Sequence, residues 1–196
     1  HNTTDINASI VSEDNKLGLA VFAQNTQKDA WDANGDGFTE LSKISGQTAG
    51  LRGYVKTGIY SKITAEYHHL QEFRRGGDNI DLPPHEVMIA EQTKHGINTG
   101  GLKFDWFSPD QRHRLNVFAS IQHIDRDSYY GAQKDPNAYG KTSDLTWVGG
   151  AQYIYKFKRC LFMPADLTAG LEYNEDYLKD NMWGYDRITD QTVRLA

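Results

Sequence analysis

The chain has no run of apolar residues long enough to cross a membrane as a helix; such a helix needs about 18 or more in succession. This excludes a helical span but not a membrane, because barrel strands alternate and keep mean hydropathy low. Mean hydropathy here is −0.66. Cysteine is nearly absent. The single Cys160 excludes an intrachain disulfide and any cysteine-built zinc site, and it reads as a small packed or membrane-facing residue. Basic charge is not in excess. A formal net charge of −5 argues against a nucleic-acid partner. Catalytic signatures are missing too: there is no Gly-x-Ser-x-Gly, no His-Glu-x-x-His and no phosphate loop. No catalytic residue is assigned, and an enzyme is not expected. The sequence opens HNTTDINASI, without an initiator Met or a signal peptide, which points to a processed or cut-down polypeptide.

What is present is a rhythm. Stretches of alternating residues lie near 4–12, 16–25, 47–57, 62–73, 95–107, 113–126, 144–157 and 166–178. Leu17, Leu19, Val21 and Ala23 share one face of the second. Leu51, Gly53 and Val55 do so in the third, and Leu115, Val117, Ala119 and Ile121 in the sixth. Period two is the signature of a strand. The connections alternate between short (Glu13–Asn15, Gly58–Ser61, Ser108–Arg112, Lys158–Ala165) and long (Asn25–Gly46, Arg74–Lys94, Asp127–Ser143). Short turns on one side and long loops on the other are the habit of a transmembrane β-barrel. Compact soluble domains rarely carry several structureless loops longer than about 15 residues. Aromatics, with 11 Tyr, 8 Phe and 4 Trp, gather toward strand ends, as barrel girdles do. The fold class predicted is all-β: an antiparallel up-and-down meander of about eight long strands, part of a transmembrane barrel. Leu17, Leu51, Val55, Ile63, Val117 and Leu171 should face lipid, while Lys62, Glu66, Arg114, Gln122 and Glu172 should face the lumen.

The long loops carry the candidate chemistry. Asp32, Asn34, Asp36, the Phe38 carbonyl and Glu40 follow the opening of a calcium loop, with oxygen side chains at alternate positions and Gly37 at the sharp turn. The twelfth position is Lys43 rather than a bidentate acid, so an acid such as Asp78 or Asp81 would have to help. An ordinary turn-rich loop uses the same residues. Arg74 and Arg75 can grip an acidic group. Tyr129, Tyr130, Asn137 and Tyr139 offer rigid aromatic area and adaptable hydrogen bonding, as binding loops do.

Glu66-Tyr67-His68-His69-Leu70-Gln71-Glu72-Phe73-Arg74-Arg75-Gly76-Gly77 is followed by Leu82-Pro83-Pro84-His85-Glu86. With Phe107-Ser108-Pro109-Asp110, Ser128-Tyr129-Tyr130-Gly131, Asp135-Pro136-Asn137-Ala138-Tyr139-Gly140 and Leu171-Glu172-Tyr173, these runs resemble the barrel of TonB-dependent outer-membrane receptors of Bacteroidetes type. The resemblance covers nearly the whole chain. It implies that 1–196 is a segment of a barrel of about 22 strands, without the plug and its TonB box. It also implies an outer-membrane location, contact with outer-membrane lipid, partnership with TonB through that plug, and uptake of a scarce nutrient complex, cobalamin or iron–siderophore. In the cobalamin branch calcium orders the extracellular loops. The competing readings are a soluble β-sandwich module binding calcium or carbohydrate and, less favoured, a hydrolase on a β-scaffold.

Overall fold

A computed structural model describes residues 1–181 and the backbone of Arg187–Leu195. The strands are β1 (Asn2–Val11), β2 (Leu17–Lys28), β3 (Phe38–Gly58), β4 (Ser61–Asp78), β5 (Ile89–Phe107), β6 (His113–Ala132), β7 (Tyr139–Cys160), β8 (Met163–Asp180) and β9 (Arg187–Leu195). They form one sheet in sequence order, and each pairs antiparallel with the next. The predicted all-β meander is therefore the fold observed, with a ninth strand beyond the eight expected. Among the described residues the sheet is open: β1 pairs only with β2, and β9 only with β8.

Strand lengths differ from expectation in an informative way. β3 to β8 run to 18–22 residues, against a usual five or six or so. The three long connections shrink to 29–37, 79–88 and 133–138. Their ends are paired backbone on which polar and apolar side chains mix on both faces, so the alternation that marks a strand disappears while the hydrogen-bond ladder continues. The fourth tight turn is also shorter than expected, at Leu161-Phe162.

Two of the tight turns are built alike. Ser12-Glu13-Asp14-Asn15-Lys16 and Ser108-Pro109-Asp110-Gln111-Arg112 each begin with a serine whose Oγ donates to the Asp carboxylate two residues on. That same Oγ accepts the N–H of the residue opening the next strand, Leu17 or His113, at 3.0 Å. The Asp Oδ1 accepts the N–H two residues later at 3.1 Å. Asn15 and Gln111 take the left-handed conformation. The last carbonyl of each turn, Lys16 or Arg112, accepts the N–H of Lys56 or Lys156 on the neighbouring hairpin. Side chains thus satisfy the turn backbone where no ladder can.

Register separates the residues into two faces. On one lie Ile6, Leu19, Val21, Leu51, Ile63, Leu102, Val117, Ile121, Trp147, Leu167 and Leu171, all about two-fifths exposed or more. No second layer covers them among the described residues. The opposite face carries Asp5, Gln24, Arg52, Glu66, Thr99, Gln122, Thr146 and Asp176, joined by cross-strand contacts such as Gln24 to Asp5 and Gln122 to Thr99. Glycines on the two faces play different parts. On the polar face Phe22 lies over Gly50 and Phe118 over Gly150, and a Cβ on Gly150 would stand 2.7 Å from the Phe118 ring and 2.9 Å from the Leu171 carbonyl. On the apolar face Gly100 and Gly149 are open, with no atom nearer than 3.8 Å to an added Cβ.

The loop-side limit of the apolar face follows a ladder row, with Ile6 on β1 in line with Leu145 on β7 and Tyr177 on β8. Its turn-side limit moves: it is Ile10 on β1, in the row of Tyr173, whereas on β8 it reaches Leu167. The apolar band therefore widens toward the turns from β1 to β8.

Gly150→Ala is expected to cost about 1–3 kcal/mol because Phe118 and a carbonyl must give way, while Gly100→Ala is expected to leave stability unchanged. Urea unfolding of the two variants in detergent micelles checks the contrast.

Candidate functional site

The loop end of the sheet is held by a small cap. The 79–88 connection, with a 3₁₀ turn at Pro84–Glu86, folds against the β6–β7 hairpin. Val87, Ala90, Tyr129 and Ala138 form its buried core. Tyr129 is 1% exposed. Its hydroxyl donates to the Asp135 carbonyl at 3.0 Å, and its ring meets Tyr139 edge-on at 4.8 Å. Burial raises its pKa above the ordinary phenol value. The Gln133 N–H donates to the Met88 carbonyl at 2.7 Å, tying the two connections together.

Arg75 is the clamp beneath this cap. It is 2% exposed, and its guanidinium donates to the carbonyls of Gly76 (2.9 Å) and Leu82 (3.3 Å). Burial lowers its pKa, yet an arginine keeps its proton in a protein. Arg74 points to the opposite face and is paired with Glu72, Nε to Oε1 at 2.6 Å.

The expectation that these residues sit on loops is corrected by their placement. Arg74 and Arg75 lie on β4, Tyr129 and Tyr130 on β6, and Tyr139 on β7; of the six, Asn137 alone lies in a connection. The strands continue above the apolar band, and the sequence pattern gave no sign of it. Arg75 and Tyr129 are occupied in building the cap. Tyr139, 44% exposed, meets the His85 Nδ1 through its hydroxyl at 2.7 Å. Together with exposed Asn137, it supplies the accessible rim, while half-buried Tyr130, next to Tyr129 on β6, points to the opposite face. Val87, Ala90 and Ala138 were missed by the sequence reading. They carry no chemical signature, and only the docking of two connections makes them a core.

The Asp32–Glu40 loop closes on its own backbone. Asp32 Oδ1 accepts from the N–H of Gly35 (2.7 Å) and Asn34 (3.2 Å), and Oδ2 from Gly37 (2.9 Å). Asp36 Oδ1 accepts from Phe38, Asn34 Oδ1 from Asp36, and Glu40 Oε2 from Ala33. Phe38 opens β3 opposite Asp78, so one of the two acids named as helpers lies beside the loop. Among the described residues no group of three or more His, Cys, Asp or Glu is gathered to hold a metal. The oxygens present are of calcium-binding type. Asp32 Oδ1 already accepts two N–H groups, while Asp32 Oδ2, Asn34 Oδ1, Asp36 Oδ1 and Glu40 Oε2 accept one each and keep a lone pair, so the donor chemistry fits a hard cation while the geometry is that of Asx turns.

No known protein family, no curated protein and no solved structure matches this chain.

The N–H of Gly37, followed by those of Gly35 and Asn34, holds the Asp32 carboxyl below its ordinary value of 3.8 despite the opposing effect of burial. A depressed pKa means that the contribution to loop closure is complete above the unfolded value and is lost as pH falls through the folded one. Protease cleavage within 29–37 is therefore expected to accelerate below about pH 4, and Asp32→Asn is expected to flatten that acid response.

Proposed function

We propose that this chain is a wall segment of an outer-membrane β-barrel receptor that takes up a scarce nutrient complex of the cobalamin or iron–siderophore kind, energised by TonB through a plug. The observation that carries the membrane reading is the apolar band. It crosses eight register-aligned strands, has no covering layer among the described residues, and is backed by a polar face. A β-sandwich module would pack that band against a second sheet; here Leu102, Leu167 and Leu171 are 56–66% exposed. On β6 the band from Leu115 to Ile121 spans about 20 Å, close to the roughly 25 Å apolar belt of outer-membrane barrels. Aromatic neighbours border it on both sides: Tyr155 with Phe157 toward the turns, and Trp147 with Tyr173 toward the loops. The receptor part of the proposal rests on the resemblance of the sequence runs and on the long-loop end, where the cap presents Asn137 and Tyr139.

The membrane reading is tested by extraction and by one pair of variants. The protein is expected to require detergent, and Val117→Arg to cost about 2–4 kcal/mol of folding into bilayers if it lies near the midplane. Ser120→Arg, on the polar face, is expected to be tolerated. A tolerated Val117→Arg would sink the spanning reading.

Calcium enters as a loop-ordering ion held by Asp32, Asn34, Asp36, Glu40 and the Phe38 carbonyl, with Asp78 adjacent. Millimolar calcium is expected to slow cleavage in 29–37 relative to chelator. Equal rates would leave the loop as self-closed Asx turns.

A further inference from the structure

At the tight-turn end of the polar face, β3 to β6 border a cleft of about 670 Å³. Its lining brings together Lys56, Lys62, Lys103 and Arg114 against one acid, Asp105. That acid is already used: its Oδ1 lies 3.2 Å from Lys103 Nζ and accepts from Asn116 Nδ2 at 2.9 Å. Lys56 and Lys62 stand directly opposite one another across the β3–β4 ladder. Like charges in that position destabilise a sheet, and among the described residues neither forms an ion pair; Lys62 also stands opposite Asp105 on β5, and its Nζ lies 6.0 Å from the centre of the Tyr54 ring. Arg114 lacks one as well, and its guanidinium lies over the Phe107 ring at 4.6 Å. A guanidinium resting on an aromatic face keeps its N–H edge available while its orientation is fixed.

We infer that this cleft is an anion site for a small solute bearing phosphate or carboxylate groups. Lys56 and Lys62 supply two point charges whose mutual repulsion an anion between them relieves. Arg114 supplies a planar fork suited to two oxygens. The volume is in the usual range for a small-molecule pocket, about 300–1,000 Å³. The placement within a lumen rests on the barrel reading; the charge constellation does not. In a barrel this is the turn-side mouth, where an anionic solute leaving the lumen would meet it.

The test is thermal unfolding of the full-length protein, titrated with inorganic phosphate and, separately, with citrate, each against chloride at equal ionic strength. A bound anion raises the unfolding temperature by mass action. Phosphate, citrate or both are expected to raise it and chloride not to. A response to one alone assigns the group recognised. Lys62→Gln is expected to weaken the apparent anion affinity about tenfold. Lys94→Gln, on the other face, should respond like the wild type. An absent response, or an equal one in Lys62→Gln and wild type, overturns the site. Extraction judges the membrane reading separately. A protein that needs no detergent yet responds to anion loses the lumen and keeps the site. One that needs detergent and shows no response loses the site and keeps the membrane reading.

Discussion

The ladder register is the constraint on which everything else depends. Side chains alternate along a strand, so a slip of one residue would exchange the two faces completely. From Ala8 through Val21, Leu51, Tyr67, Gly100 and Ile121 to Trp147, one unbroken row of partners fixes which residues share a face. Every later feature inherits that choice. Leu102 and Val117 lie on the apolar face, while Lys62 and Arg114 share the opposite side with Asp105. Adjacent Arg74 and Arg75 are sent to opposite faces, one to an ion pair and the other to a buried clamp.

Glycine lets this register hold with so many aromatics on the polar face. Phe22, Phe118 and Tyr54 each lie over a glycine of a neighbouring strand, Gly50, Gly150 and Gly18. The absence of a Cβ gives the ring a flat seat against backbone. Such a seat is a packing solution for a sheet whose polar face has no second layer among the described residues. It stiffens the sheet from within while the apolar face remains smooth.

How much of this was legible in the sequence depended on position along each strand. Where one face is apolar, as at Leu115–Ile121, period two was clear and the pairing was placed correctly. Where no face is continuously apolar, as at Arg74–Asp78 and Asp127–Ala132, the period vanishes and the sequence reads as loop. The ladder needs only backbone groups, so it continued without a side-chain signal. β9 went unmarked for a related reason: Arg187–Leu195 mixes charged, polar and branched residues without a clean alternation. The candidate loops were located, but their internal use was not. Sequence offered Arg75 and Tyr129 as ligand contacts because it could not show two connections docking on each other. Lys56 and Lys62 were assigned no joint role, although a tight turn between two strand lysines is a visible signal that the residues will face each other.

The two ends of the sheet solve the same backbone problem in opposite ways. At the turn end, connections are short and side-chain oxygens of Ser12, Asp14, Ser108 and Asp110 cap the turn directly. At the loop end, connections are longer and satisfy their backbone by packing on one another, through Arg75, Tyr129 and Gln133. The first solution needs few residues and leaves the end face uncovered, so the charges of Lys56, Lys62 and Arg114 stand open on the polar side. The second spends its charged and aromatic residues on order, and only its rim stays free for contact. The two ends of one sheet therefore present different chemistry: open cationic charge at the turns, and a self-packed cap with a narrow accessible rim at the loops.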